Sequence, residues 1–192
     1  MSALEIIAVI LGVINIVLIA RRSIWNYPFG IVMVALYARI FLEARLYSDA
    51  LLQIFFFVVQ FYGWWYWRRG KAVDGDVVVE ALSTWARLGL AAGLAVAILL
   101  WGGMMATQTD AAFPWWDGAI AMMSVAAQWL MSRRYLENWV LWILVDCLAV
   151  GLYWVKDLHL TAALYMVFLA LSIWGLEEWM RVRAKTGSVL PK

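Results

Sequence analysis

The chain has 192 residues, of which 66% are hydrophobic and only 15% are charged, and its formal net charge is +2. Soluble proteins typically have about 45–50% apolar and about 25% charged residues, so this chain has too little polar surface for a water-exposed globule and needs lipid to cover it. The small net charge gives no support for a nucleic-acid partner, and a single cysteine, Cys147, excludes an internal disulfide.

Seven apolar segments approach the ~20 residues that a helix needs to cross a bilayer. They run approximately over Leu4–Ala20, Pro28–Glu43, Ser48–Trp67, Leu88–Thr107, Trp115–Ser132, Asn138–Val155 and Leu160–Met180. The longest connection, Arg68–Arg87, is charged and is the one place where the sequence predicts a soluble excursion. We therefore predict an all-α integral membrane protein with seven transmembrane helices and a single membrane domain.

The sequence contains no group of residues that predicts a cofactor site or an enzyme. The N-terminus lacks the basic region and the cleavage pattern of a signal peptide, so its apolar segment is expected to stay in the mature protein. His159 falls in a short predicted loop, where a solvated or capping role is expected. The chain has no second histidine or cysteine for a zinc site. An intramembrane enzyme would need a nucleophile–base pair or a metal site, and one histidine and one cysteine in unrelated places do not supply either.

The basic residues orient the predicted bundle. Twelve of the fifteen fall on the face shared by the first, third and fifth loops and the C-terminus: Arg21, Arg22, Arg68, Arg69, Lys71, Arg87, Arg133, Arg134, Arg181, Arg183, Lys185 and Lys192. The opposite face has Arg45 and Lys156, with Arg39 inside the second span. Because cytoplasmic loops are rich in Lys and Arg, this pattern predicts an external N-terminus and a cytoplasmic C-terminus.

The chain also contains an internal repeat. Residues 21–69 align without a gap on residues 133–181, an offset of 112, and twelve of the 49 columns are identical, where about four are expected by chance. We predict residues 1–69 as one three-helix unit, 70–112 as a linker and connecting helix, 113–183 as a second three-helix unit and 184–192 as a cytoplasmic tail. Because the connecting helix crosses the bilayer, the two units are expected to be parallel, as in transporters that place substrate between repeats.

Polar and aromatic residues share one face of several spans. On the third span, Asp49, Gln53, Gln60, Trp64 and Trp67 fall on a stripe less than ~90° wide. The sixth span places Asn138, Trp142, Asp146 and Tyr153 on one face, and the fifth contributes Asp117, Ser124 and Gln128. Polar groups in a span are costly and point inward, so these side chains predict a cavity between the halves.

Several of these residues also have a purely structural interpretation. Buried amides commonly bond neighbouring helices, and Trp65 and Trp115 are expected to be interfacial anchors. Arg39 and Glu43, four residues apart, are expected to neutralise each other. Asp49 and Asp117 lie near span starts, where N-capping or solvation is expected.

The sequence resembles the PnuC family of vitamin transporters along nearly its whole length. The motifs that carry the resemblance are NYPFG at Asn26–Gly30, YSDALLQ at Tyr47–Gln53, YGWWYW at Tyr62–Trp67, ENWVLWILVD at Glu137–Asp146 and LTAALYMVFLALSIWG at Leu160–Gly175. The resemblance implies a 3+1+3 fold similar to SWEET sugar transporters, a homotrimer in the bacterial inner membrane, and facilitated diffusion of nicotinamide riboside, which a cytosolic kinase traps. Relatives carry thiamine or other vitamins, so thiamine stays open as an alternative.

Aromatic faces and amides suit such a substrate, because an indole attracts a flat cation by ~0.5–2 kcal/mol and paired polar groups add selectivity. The candidate substrate-binding residues are Gln53, Gln60, Trp64, Trp67, Gln128, Asn138, Trp142, Asp146, Tyr153 and Tyr165. We expect Trp142 with Trp64 or Trp67 as walls, and Gln53, Asn138 and Gln128 as polar discriminators. A sugar transporter of the same architecture is the rival. A retinal protein is disfavoured because no lysine lies within the last predicted span.

Overall fold

The computed structural model describes residues 3–43, 47–69, 78–109 and 112–187. These residues form seven helices: α1 (Ala3–Ala20), α2 (Asn26–Glu43), α3 (Tyr47–Arg69), α4 (Thr84–Gln108), α5 (Pro114–Ser132), α6 (Glu137–Val155) and α7 (His159–Gly187). The prediction of an all-α chain with seven helices is confirmed for the part of the chain that the structure describes.

Two helices are longer than the apolar pattern predicts. α4 begins at Thr84 rather than near Leu88, because the hydroxyl of Ser83 accepts a hydrogen bond from the backbone N–H of Ala86 at 3.3 Å and caps the helix. α7 continues to Gly187, beyond the predicted end at Met180, so Lys185 lies in its last turn. Hydropathy marks where a helix leaves the apolar layer, and these polar turns extend past that point.

Six of the helices pack in a closed ring, in the order α1, α2, α3, α5, α6 and α7, with α7 against α1. We call α1–α3 and α5–α7 the two halves of the ring; in the described part of the chain, they pack together through α3 against α5 and through α1 against α7. α4 lies outside this ring, where it packs against α5. The candidate site residues on α3, α5, α6 and α7 all belong to ring helices.

The outward surface of the bundle is strongly apolar. Within the described residues, the helices Thr84–Gln108, Glu137–Val155 and His159–Lys185 are long and apolar enough to cross a membrane. Leu100 on α4 is 71% exposed, and Cys147 on α6 is also exposed. A water-soluble bundle would bury such faces, so these surfaces suit contact with lipid.

Four large side chains form an aromatic cluster at one end of the ring: Tyr27, Trp67, Trp139 and Trp179. All four are almost completely buried, and the rings of Trp67 and Trp179 meet across the two halves with centroids 6.1 Å apart. Tyr27 packs edge-on against Trp67 at 5.3 Å, and Trp139 packs edge-on against Trp179 at 5.7 Å. The cluster therefore fills the space where the halves meet.

The hydrogen bonds of the cluster are reciprocal. The indole N–H of Trp67 donates to the carbonyl oxygen of Met131 at 3.3 Å, and that of Trp179 donates to the carbonyl oxygen of Ile19 at 3.1 Å. Both donors and both acceptors are 112 residues apart in the sequence. Each bond ties one half of the ring to the other.

The turns before α2 and α6 also match. Arg22 and Arg134 both adopt a positive φ, at 55° and 65°. In the next turn, Asn26 Nδ2 donates to the carbonyl of Ser23 at 2.7 Å, and Asn138 Nδ2 donates to the carbonyl of Tyr135 at 2.6 Å. Both asparagines therefore hold the start of their helix by the same short-range bond.

The segment before α4 is hydrogen-bonded to the turn between α5 and α6. The backbone of Glu80 pairs with that turn, accepting from Leu136 N–H at 2.8 Å and donating to the carbonyl of Arg134 at 2.9 Å. Its carboxylate also lies 3.0 Å from Arg134 Nη2. Val79, next to it, is buried with the aromatic cluster. Part of the predicted soluble excursion is thus packed against the bundle.

We expect Gly175→Ala to lower the thermal stability of the protein. A Cβ at Gly175 would overlap the ring of Trp139, which is rigid and fully enclosed. Overpacking of this kind costs ~1–3 kcal/mol. Thermal unfolding in detergent measures the effect, with Gly93→Ala on α4 as the matched control, because a Cβ there meets no atom of the described residues within 4 Å. Equal melting temperatures for the two variants would contradict the packing described for Trp139.

Candidate functional site

The predicted stripe on α3 changes character along the helix. Gln60 is buried and Gln53 is half-buried, while Trp64 packs against the aromatic cluster. Trp67 is fully enclosed within that cluster, so its indole has no face free for a ligand in this conformation. Trp64 is therefore better placed than Trp67 to line a cavity. The side chain of Asp49 lies outside the described part of the chain.

The predicted face of α6 points into the ring. Asn138 and Asp146 are buried and Trp142 is half-buried between them. The carboxylate of Asp146 accepts a hydrogen bond from the hydroxyl of Ser172 on α7 at 2.9 Å. Asp146 follows Trp142 by one helical turn, so a carboxyl group and an indole lie side by side on one face.

Two tyrosines lie farther along the same face. Tyr153 on α6 stacks against Tyr165 on α7, with ring centroids 5.2 Å apart and planes at 26°. Tyr165 also bonds the Tyr153 side chain and lies within electrostatic reach of Asp146 and Tyr37. Phe168 packs edge-on against Tyr165 at 5.7 Å. The structure thus brings together Asp146, Tyr153 and Tyr165, three of the candidate site residues.

Trp142 links the two halves of the ring. Its indole lies 6.5 Å from the ring of Phe56 on α3, in an edge-on arrangement. It also packs against an apolar cluster that includes Ala127 of α5. Gln128, the next residue on α5, is buried, and its Nε2 has no hydrogen-bond partner among the described residues. An aromatic face and an unmatched amide donor therefore lie on adjacent helices.

Other amides of the site also carry unmatched atoms. Over the described ranges, the side-chain oxygens of Asn15, Gln60 and Asn138 are buried and have no partner. A buried polar atom without a partner costs ~1–3 kcal/mol, so such atoms usually meet water or a ligand. Their concentration inside one ring of helices makes this interior the candidate site.

Sequence reasoning missed three of these neighbours: Asn15, Phe56 and Ser172. Asn15 is a buried amide within the first span, which was itself a signal. Phe56 looks like any lipid-facing residue in the sequence, and Ser172 gives no signal until the fold places it against Asp146. Their roles depend on contacts between helices, which periodicity along one helix does not contain.

Three of the predicted structural roles concern Arg39, Asp117 and His159. The expected pairing of Arg39 with Glu43 is confirmed, with Nε 2.8 Å from Oε1. Asp117 does not cap α5; its carboxylate lies 3.3 Å from Lys156 Nζ. His159 is not in a loop: it is the first residue of α7 and stacks on Trp154 at 4.8 Å.

Trp65 and Arg133 lie at the basic end of the bundle. Trp65 is 50% exposed, as expected of an interfacial anchor, and the guanidinium of Arg69 lies 4.3 Å over its ring. Arg133 donates to the Tyr62 hydroxyl at 2.6 Å, and this hydrogen bond raises the pKa of Arg133 above its ordinary value. Arg133 therefore carries its charge at every physiological pH, and it joins the end of α5 to α3.

Known proteins similar to this chain are transporters. A sequence profile of the nicotinamide mononucleotide transporter family matches residues 2–181. The nicotinamide riboside transporter PnuC of Escherichia coli is 28% identical, over 98% of this chain and 89% of its own length. The PnuC of Neisseria mucosa is 30% identical, over 94% of this chain and 73% of its own.

Two further similarities bear on substrate and fold. The riboflavin/roseoflavin transporter RibM of Streptomyces davaonensis is 31% identical, over 97% of this chain and 89% of its own length. The crystal structure of a vitamin B3 transporter PnuC superposes with a TM-score of 0.77 at 29% identity, covering 96% of this chain and 83% of that one. Similarity in sequence and in fold thus extends over almost the whole molecule.

Proposed function

Because the chain belongs to the nicotinamide mononucleotide transporter family, we propose that it carries nicotinamide riboside across the membrane by facilitated diffusion. It is a multi-pass membrane protein whose relatives are transporters. The observation that carries the choice of substrate is the position of Trp142 between the buried side chains of Asn138 and Asp146. We keep the ten predicted site residues as the proposed binding residues, with Trp64 preferred to Trp67 as the second wall.

The chemistry of these residues suits a flat, positively charged ring. An indole face attracts a pyridinium by ~0.5–2 kcal/mol, more where water is excluded. The amides of Gln53, Gln128 and Asn138 supply donors and acceptors for a carboxamide and hydroxyl groups. The ten site residues include no lysine, arginine or histidine. A phosphate therefore finds no cationic partner among them, which favours the riboside over the mononucleotide.

The arrangement of the helices supports a parallel repeat. We take α1–α3 and α5–α7 as two copies of one unit, related by an axis along the membrane normal, in a SWEET-like 3+1+3 fold. The reciprocal bonds of Trp67 and Trp179, and the matching turns at Arg22 and Arg134, support this relationship. Alternating access would then proceed by rocking of one unit against the other around a site between them.

Orientation and assembly complete the proposal. The basic residues at the Arg133 end of the bundle support a cytoplasmic location for that end and for the C-terminus, and we propose that the protein lies in the bacterial inner membrane. A periplasmic reading from a C-terminal reporter fusion would contradict this orientation.

We propose a homotrimer, which light scattering of the purified protein tests. Uptake coupled to cytosolic phosphorylation needs no ion gradient, because trapping keeps the flux downhill.

The riboflavin/roseoflavin transporter among the relatives makes riboflavin a second candidate, beside thiamine. Calorimetric titration of purified protein with nicotinamide riboside, nicotinamide mononucleotide, thiamine and riboflavin separates these possibilities. We expect binding of nicotinamide riboside, at least tenfold weaker binding of the mononucleotide, and uptake of the bound vitamin into proteoliposomes. Tighter binding of riboflavin or thiamine would replace the proposed substrate, and binding of none of the four would overturn the function.

A further inference from the structure

The two halves of the ring differ at one position where their scaffolds otherwise match. Asn26 and Asn138 make equivalent hydrogen bonds, and the residue four places later is Gly30 in the first half and Trp142 in the second. The side chain proposed to hold the substrate ring therefore has no counterpart in the first half. Something else must fill the equivalent space beside Gly30.

Two amide groups fill it. A Cβ at Gly30 would collide with the amide nitrogens of both Asn15 on α1 and Gln60 on α3. Both side chains are almost completely buried, at 3% and 2% exposure. Two amides from different helices thus converge on the same point, and they do so because position 30 has no side chain.

The second half shows the opposite exchange. The residues 112 positions after Asn15 and Gln60 are Ala127 and Ser172, both smaller, and the residue equivalent to Gly30 is Trp142. Trp142 packs against the apolar cluster to which Ala127 belongs. Volume is therefore redistributed between the halves: a large ring with small neighbours on one side, and a glycine with two amides on the other. The result is one aromatic and one polar wall.

The polar wall is not satisfied by the surrounding protein. Asn15 Nδ2 donates to the carbonyl of Asn26 at a long 3.4 Å, while Asn15 Oδ1 and Gln60 Oε1 have no partner in the described ranges. If one of the two side-chain amides were rotated by 180°, its oxygen could accept a hydrogen bond from the NH₂ group of the other. The oxygen of that other amide would still have no donor. A buried acceptor is costly without a donor, so this pair is suited to receive an N–H or O–H from a ligand.

We propose that Asn15 and Gln60, brought together at Gly30, form a polar subsite that accepts hydrogen bonds from the donor groups of the substrate while Trp142 holds its ring. The donors are the carboxamide N–H groups or the ribose hydroxyls. The subsite rests on the proposed function, because it assigns the two ends of one substrate to the two halves of the ring. It adds Asn15, on α1, to the residues that determine specificity.

The test is the double variant Asn15→Leu/Gln60→Met in the full chain, purified in detergent. These apolar side chains of similar size remove the unmatched acceptors, so the melting temperature is expected to stay the same or to rise. The affinity for nicotinamide riboside is expected to fall at least ~10-fold, because a site built for polar partners loses them. Thr107→Val on α4 is the control, since that hydroxyl bonds to the carbonyl of Gly103 in its own helix at 2.9 Å.

Two probes identify the donor. Nicotinic acid riboside lacks the carboxamide N–H groups, and 1-methylnicotinamide, the pyridinium cation methylated on its ring nitrogen, lacks the ribose. Loss of affinity for nicotinamide riboside and 1-methylnicotinamide, with nicotinic acid riboside unaffected, assigns the carboxamide. Loss for both ribosides alone assigns the hydroxyls. Unchanged affinity for nicotinamide riboside, an equal loss for all three ligands, or a lowered melting temperature would overturn the subsite and leave the proposed function standing. Absence of binding to the unmodified protein would instead overturn both.

Discussion

Replacing Trp142 with alanine is expected to weaken the binding of nicotinamide riboside about 30-fold or more. The indole contributes up to ~2 kcal/mol of attraction for a pyridinium in a partly desolvated site, and ~1.4 kcal/mol corresponds to a factor of ten. The substitution also opens a gap beside Phe56, whose ring lies 6.5 Å away. Water entering this gap would weaken the remaining contacts, so the alanine variant is expected to lose more than stacking alone. Calorimetric titration measures the loss.

The design needs controls that separate stacking from folding. Trp142→Phe keeps an aromatic face with a weaker quadrupole, so an intermediate affinity is expected. Trp65→Ala is the matched control, because Trp65 is 50% exposed at the basic end of the bundle and lies under Arg69 rather than in the ring. An alanine variant at position 142 that melts normally and binds with unchanged affinity would remove Trp142 from the site.

The sequence predicted the helices better than it predicted the contacts between them. Apolar length alone placed all seven, and the offset of 112 anticipated the matching turns at Arg22 and Arg134. Both signals are local or internal to the chain. The extra turns of α4 and α7 were missed because they lie beyond the apolar layer, where hydropathy no longer marks a helix.

The candidate site was predictable as a set of faces, and less so as a set of neighbours. Helical phase places Trp64 and Trp67 on one stripe, and it carries no information about which of them contacts α5–α7. In the structure, Trp67 is enclosed by Tyr27 and Trp179, so its burial depends on two other helices. Asn15 was missed for a related reason: one amide in an apolar span becomes meaningful only beside Gln60.

In the proposed repeat, the exchange of Gly30 for Trp142 makes the two units asymmetric while their other equivalent contacts stay alike. The aromatic cluster has reciprocal hydrogen bonds, and Asn26 and Asn138 make equivalent hydrogen bonds to the turns before α2 and α6. One helical turn away, Gly30 and Trp142 give the halves different chemistry. A flat substrate with a polar end needs two unlike walls, and a repeat with diverged inner residues can supply both.

Trp67→Phe and Trp179→Phe are expected to destabilise the protein by similar amounts, although they lie 112 residues apart. Each removes an indole N–H from a buried carbonyl, Met131 O in one case and Ile19 O in the other, and an unmatched buried acceptor costs ~1–3 kcal/mol. Alanine at either position also leaves a cavity, with an expected cost of ~3–5 kcal/mol. Trp65→Phe, on the exposed face of the same helix, is expected to change stability by less than ~0.5 kcal/mol.

The double variant tests whether the two bonds act together. The rings of Trp67 and Trp179 are in contact, with centroids 6.1 Å apart, and residues in contact show coupling of ~0.5–3 kcal/mol. Unfolding of the four proteins in a double-mutant cycle gives this coupling energy. Unequal single effects, or exact additivity, would mean that the halves are joined by independent contacts. Equal and coupled effects mean that one pair of equivalent tryptophans stabilises both interfaces between the halves, α3 with α5 and α1 with α7. Separation at one interface would then weaken the other.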